Sequence, residues 1–214
     1  MKFLIATIAS LLLVTNAWSQ LRPEYGNYPK PLQLQFEIED DGRNGKVLSE
    51  FSFVDAEKKV WTSPNGAIVN GASIPRPLWA IVGSPWTGRY RQASVIHDHY
   101  CDARTETWQS VHRVFYNAMM ASGVNEIQAK IMYAAVYRYG PRWNIVYTPN
   151  CINCLTVPHK LPQYTPTITE SQVQALRIQV ESTNPSLDEI EKSADAGFYD
   201  ELQRLKLGTP SFVN

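Results

Sequence analysis

The chain has 214 residues, with 20 basic and 20 acidic side chains and a formal net charge of zero. Without a basic surplus there is no electrostatic footprint for nucleic acid, which excludes that partner class. The length suits one domain with a tail, since domains commonly run about 100–200 residues.

Lys2, the apolar stretch 3–14 and Asn16-Ala17-Trp18-Ser19 read as a secretory signal: a positive start, an apolar run too short to cross a bilayer, and a small-x-small cleavage site. Residues 1–20 are therefore expected to be removed, leaving a chain exported to a periplasm or beyond the cell. No cysteine stands at the cleavage point, which argues against a lipid anchor, and no later apolar run is long enough for a transmembrane segment. In that oxidising compartment the cysteines allow one disulfide, either Cys151 with Cys154 or one of these with Cys101, leaving one thiol over.

Residues 21–31 form a lead-in rich in Pro, Tyr and Gly. Leu32, Leu34, Phe36 and Ile38 alternate with polar residues, the period of a half-buried strand, and Asp40 to Gly45 supplies a hairpin turn. Alternation resumes over 47–54, a short strand is expected over 58–62, and Pro64-Asn65-Gly66 is a turn before Ala67-Ile68-Val69. Asn70-Gly71-Ala72-Ser73-Ile74-Pro75-Arg76-Pro77 cannot be regular helix or central strand, because its prolines remove donors and its glycine invites positive φ. From Tyr90 or Arg91 the period changes to 3.6, predicting helices through Cys101, over 106–122 with Gly123 as C-cap, and from Asn125 to Gly140-Pro141. The prolines after 157 mark a linker, followed by amphipathic helices around 170–181 and 187–205. The pattern predicts an α+β fold: a small antiparallel sheet followed by a three-helix core over 21–156, with a Pro-rich linker and helical tail over 157–214.

Three of the four histidines, His97, His99 and His112, fall within sixteen residues. His97 and Cys101 share one helix face while Asp98 projects from the adjoining one. That division suits His97 to proton transfer near neutral pH and Asp98 to binding a hard cation or a substrate. If the next helix packs antiparallel, His112 faces His97. Two imidazoles, a carboxylate and Cys101 are also zinc-ligand types. Against this stands the structural reading, in which a buried His donates to a backbone carbonyl and the Asp caps a loop. His99 is expected to face solvent, and His159 lies in the linker. Ser73 lacks the Gly-x-Ser-x-Gly elbow of a nucleophile and is expected to shape its own turn together with Asn70 and Gly71. Arg142 and Trp143 are candidates for lining an anionic-substrate pocket, with ion pairing at a helix end as the default.

Val69-Asn70-Gly71-Ala72-Ser73-Ile74-Pro75, Leu78-Trp79, Ala93-Ser94-Val95-Ile96-His97-Asp98, the helix segments Val111 to Met119 and Ala129 to Val136, and Tyr139-Gly140 together resemble domain of unknown function 1353, a bacterial and phage family. The resemblance covers about residues 60–145; many members carry Asp at the positions of Asn70 and His112. The His-Asp helix is also similar to the two-helix core of secreted phospholipase A2. That similarity implies His97 as general base, Asp98 as calcium ligand and His112 at the orienting position.

The preferred reading is an exported, metal-assisted hydrolase of an ester or amide in the bacterial envelope, its substrate a lipid or peptide and its divalent metal calcium or zinc. In that reading His97 and His112 are catalytic, Asp98 holds the metal, and Asn70, Gly71, Ser73, Arg142 and Trp143 shape the cleft. The rival is a non-catalytic envelope or phage-related module in which the same residues form a buried polar network, or a zinc site of His97, Cys101 and His112.

Overall fold

The computed structural model describes residues 22–36, 44–71, 77, 79, 83, 86, 88–143 and 168–204, with residues 198–204 as helix backbone. The architecture is α+β, with two small antiparallel sheets where the alternation predicted one. A 3-10 turn, Pro23–Tyr25, leads into β1 (Gly26–Asn27). The remaining strands are β2 (Leu34–Phe36), β3 (Gly45–Val47), β4 (Phe51–Asp55), β5 (Val60–Ser63) and β6 (Ile68–Val69). The sheets have the orders β1-β4-β5 and β2-β3-β6.

The expected hairpin is present, with Leu34 opposite Val47 and Phe36 opposite Gly45; the residues of its turn lie outside those described. The strand expected over 47–54 is split between the two sheets. The reason is legible in the burial: Val47, Phe51 and Phe53 are all buried while Leu48 between them is exposed. The period-2 pattern therefore continues across the crossing and looks unbroken in sequence. The turn after β5 closes with the Ala67 amide donating to the Pro64 carbonyl at 3.2 Å. Gly66 sits at φ +84° in its third position, as a type II turn requires.

Helices α1 (Arg91–Ala103), α2 (Trp108–Ala121) and α3 (Glu126–Tyr139) form the core. Helix α2 is capped at its start by Thr107, whose Oγ1 accepts from the Ser110 amide at 3.2 Å. It ends in a Schellman arrangement: Gly123 at φ +73°, with its amide on the Met120 carbonyl and the Val124 amide on the Met119 carbonyl. Asn125 caps α3 by accepting from the Ile127 and Gln128 amides. Helix α1 packs on α2, β5 and β6, while α2 packs on α3, β1 and β4. Trp108, Val111, Phe115 and Met119 on α2 are all buried, as their spacing predicts.

The tail helices α4 (Glu170–Thr183) and α5 (Leu187–Arg204) both dock on α3. This explains why α3 is apolar on more than one face: Ala129 through Tyr137 are buried throughout. Helix α4 turns Val173 and Val180 inward but leaves Ile178 64% exposed, so Ile178 is not part of the docking stripe. Helix α5 buries Ile190 and Ala194. Polar contacts pin the same interface: Lys130 Nζ donates to Asn184 Oδ1 at 2.7 Å, and Glu191 accepts from both Arg113 and Tyr133. No helix among the described residues is long and apolar enough to cross a membrane.

Candidate functional site

One turn of α1 separates His97 from Cys101 and α2 carries His112, so packing α1 on α2 brings the three side chains together. Nε2 of His97 lies 2.8 Å from Nδ1 of His112, and Nε2 of His112 lies 3.2 Å from the Pro141 carbonyl oxygen. A carbonyl can only accept, so Nε2 of His112 carries its hydrogen and, in the neutral ring, Nδ1 is the acceptor. His97 must then donate through Nε2. The result is a directional chain from His97 through His112 to the backbone that follows α3. It ties the centres of two helices to the end of a third.

Both imidazoles are fully buried. Phe115 packs with its ring centroid 4.7 Å from that of His97 and tilted to it, and Trp108, Tyr137 and Trp143 surround His112 with ring centroids at 5.6, 6.3 and 6.4 Å. Burial first, then the proximity of His97 and Arg142, holds His112 well below the usual imidazole range, so it is neutral near pH 7. Cys101 is a free, buried thiol; Cys151 and Cys154, the other members of the expected disulfide pairings, lie outside the described residues. Burial and the nearby Asp98 carboxylate push its pKa up, so the sulfur is protonated.

Asp98 points away from this cluster. Its Oδ2 accepts from the amides of Asn70 at 2.8 Å and Gly71 at 2.6 Å, and the residue is 6% exposed. Gly71 adopts φ +93°, a conformation that L side chains rarely take. Asp98 therefore fastens the first two residues of the shaped loop onto α1. Ser73 lies outside the described residues.

Arg142 and Trp143 meet the cluster from the opposite side. The Arg142 guanidinium sits 4.4 Å over the Trp108 ring, donates to the Tyr137 carbonyl at 2.9 Å and pairs with Asp195 of α5 at 3.4 Å. Trp143 donates from Nε1 to the Glu106 carbonyl at 2.8 Å. Both side chains are buried, so they wall the histidines and join them to the tail. His99, expected to face solvent, is partly buried, with its ring edge-on to Tyr100.

The structure thus unites His97 with His112, and Asp98 with Asn70 and Gly71, but the two groups are separate. Sequence reasoning missed the Pro141 carbonyl and Asp195. Gly140-Pro141 was readable as a helix end, but a carbonyl's partner has no sequence signature, and Asp195 comes from a helix 53 positions beyond Arg142.

The family model described as "Protein of unknown function (DUF1353)" matches residues 45–136. The match begins before the region the motifs suggested, taking in β3 to β6, and stops short of Tyr139-Gly140. The chain is 35% identical over 173 residues to "Uncharacterized protein y4iH" of Sinorhizobium fredii (strain NBRC 101917 / NGR234), covering 79% of this chain and 72% of that protein. It is 37% identical over 163 residues to "Uncharacterized protein y4jT" of the same organism, covering 73% of this chain and 48% of that protein. The chain therefore spans about half the length of y4jT. No solved structure matches, so the likeness to secreted phospholipase A2 stays with the residues that suggested it. On the family match and the coverage of y4iH, the chain belongs to the family of domain of unknown function 1353.

Proposed function

We propose that the mature chain is an exported, non-catalytic binding module of the bacterial envelope, in which His97, His112 and Asp98 hold the fold together. One observation carries the reading: neither imidazole exposes any surface, and His97 donates to His112, which in turn donates its own Nε2 hydrogen to the Pro141 carbonyl. Buried polar groups that complete such a chain rigidify a core, and replacing one partner leaves the other unsatisfied. The metal-assisted hydrolase is the second reading. The 2.8 Å pairing of His97 with His112 favours it, because a general base needs such an orienting partner. That reading also needs water at His97 and a carboxylate free for metal, whereas Asp98 accepts from two backbone amides.

Acylation by diethylpyrocarbonate, read by mass spectrometry on the folded mature chain, separates the two. The module predicts that His99 reacts while His97 and His112 stay protected until the chain unfolds. Modification of His97 at the rate of His99 would instead support a water-accessible base.

For the partner, the reading is an envelope lipid with an anionic head group. A cavity of about 530 Å³ is lined by Leu32, Leu34 and Phe36 beside Arg89 and Arg91, and its described lining contains no acidic residue. Apolar floor and cationic rim match an acyl chain joined to an anionic head. Co-sedimentation with vesicles of anionic phospholipid, lost for neutral vesicles and for the Arg89→Glu/Arg91→Glu variant, is the expected result. Binding of a peptide with no vesicle binding would contradict the lipid assignment.

A further inference from the structure

The buried cluster carries an inference about metal that rests on the structural reading above. Sγ of Cys101 lies 3.6 Å from Nε2 of His97, that nitrogen lies 2.8 Å from Nδ1 of His112, and the three donor groups all fall within 4.8 Å of one another. Tetrahedral zinc, with bonds of about 2.0–2.1 Å to nitrogen and about 2.3 Å to sulfur, places neighbouring ligand nitrogens about 3.3 Å apart and nitrogen and sulfur about 3.6 Å apart. The sulfur is already at that spacing from His97. The imidazoles need to part by about 0.5 Å, and Cys101 Sγ has to close on Nδ1 of His112 from within 4.8 Å to about 3.6 Å, both through side-chain rotation.

The outer contacts also fit. A metal-binding imidazole normally donates its other N–H to a carbonyl or carboxylate, and Nε2 of His112 stands 3.2 Å from the Pro141 oxygen while Nδ1 faces the cluster. Two helices of the core fix the donors, and the site is buried and lined by aromatic rings. Thiolate and imidazole select zinc over calcium.

We propose that His97, Cys101 and His112 form a three-ligand zinc site built into the α1–α2 interface. Loading converts the hydrogen-bonded chain into a coordinated one. The Cys101 thiol gives up its proton to solvent, the His97 hydrogen moves from Nε2 to Nδ1, and zinc takes the freed sulfur and nitrogen lone pairs with that of His112 Nδ1. One proton is released per zinc bound. The site then clamps the two helices in place of the imidazole hydrogen bond.

The test uses the full mature chain, stripped with a chelator and titrated with zinc and with cobalt. The expected result is one metal per chain, a thiolate-to-cobalt charge-transfer band, and a higher melting temperature with zinc. Cys101→Ser and, independently, Cys101→Ala should abolish the band and weaken zinc binding at least about tenfold, with folding checked by circular dichroism. The Cys151→Ser/Cys154→Ser variant should keep both. Absence of stoichiometric binding to the parent, persistence of the band without Cys101, or its loss with Cys151 and Cys154 would overturn the inference. If His112→Gln destabilises the metal-free chain and no metal binds, the polar-network reading stands while the zinc site falls. If acylation shows His97 open to solvent, that reading falls whatever the metal result.

Discussion

Lowering the pH tests the buried imidazole without altering a single atom of the chain. His112 is fully buried and its pKa lies well below the free value because of burial, His97 and Arg142. In the unfolded chain it titrates near about 6.5. The native state therefore prefers the neutral ring, and the stability tied to it is complete above about pH 6.5. Below that pH the unfolded chain takes up a proton that the native chain refuses. Stability should then fall by about 1.4 kcal/mol per pH unit until the native pKa is reached. Each pH unit of that fall corresponds to about 3–6 °C in melting temperature for a domain of this size. Urea unfolding followed by tryptophan fluorescence, for the parent and for His112→Gln from pH 8 to 5, isolates the effect, since carboxylate contributions cancel in the difference. The variant starts less stable but has a shallower slope. Parallel pH profiles for the two proteins would contradict a buried, neutral His112.

Asp98→Ala removes the acceptor of the Asn70 and Gly71 amides and should cost about 3 kcal/mol in urea unfolding, with Asp98→Asn in between. Gly71→Ala, forced into φ +93°, should lose more than about 1 kcal/mol by the same measurement. Phe115→Ala, which opens a void against the His97 ring, should cost about 3–5 kcal/mol. Val180→Asp buries a charge in the α3–α4 contact; it should lower the melting temperature and raise binding of an apolar dye, and unchanged values would mean the tail is not docked there.

The helices were legible because their signals are local: Asn125 and Gly123 mark ends that the structure reproduces with cap hydrogen bonds, while α2, expected from 106, starts at Trp108 behind its Thr107 cap. The pairing of His97 with His112 was legible for a related reason. Helical spacing fixes which face each residue shares, and a short connection limits how two helices can meet. The destination of Asp98 was not readable, because it is decided by a loop 27 to 28 residues earlier in the chain. The same limit hid the two-sheet arrangement, since alternation specifies a face but not a partner. The burial of α3 on more than one face was not readable either, because α4 and α5, which cover it, come later in the chain.

The most direct measurement of the central claim is long-range proton–nitrogen NMR of the four histidine rings in the metal-free mature chain. At pH 7 His112 is expected to be neutral and protonated on Nε2, with its Nδ1 accepting from the His97 Nε2 hydrogen and the ring N–H signals of both exchanging slowly with water. Fast-exchanging rings, or a His112 that titrates at the free value near about 6.5, would contradict it.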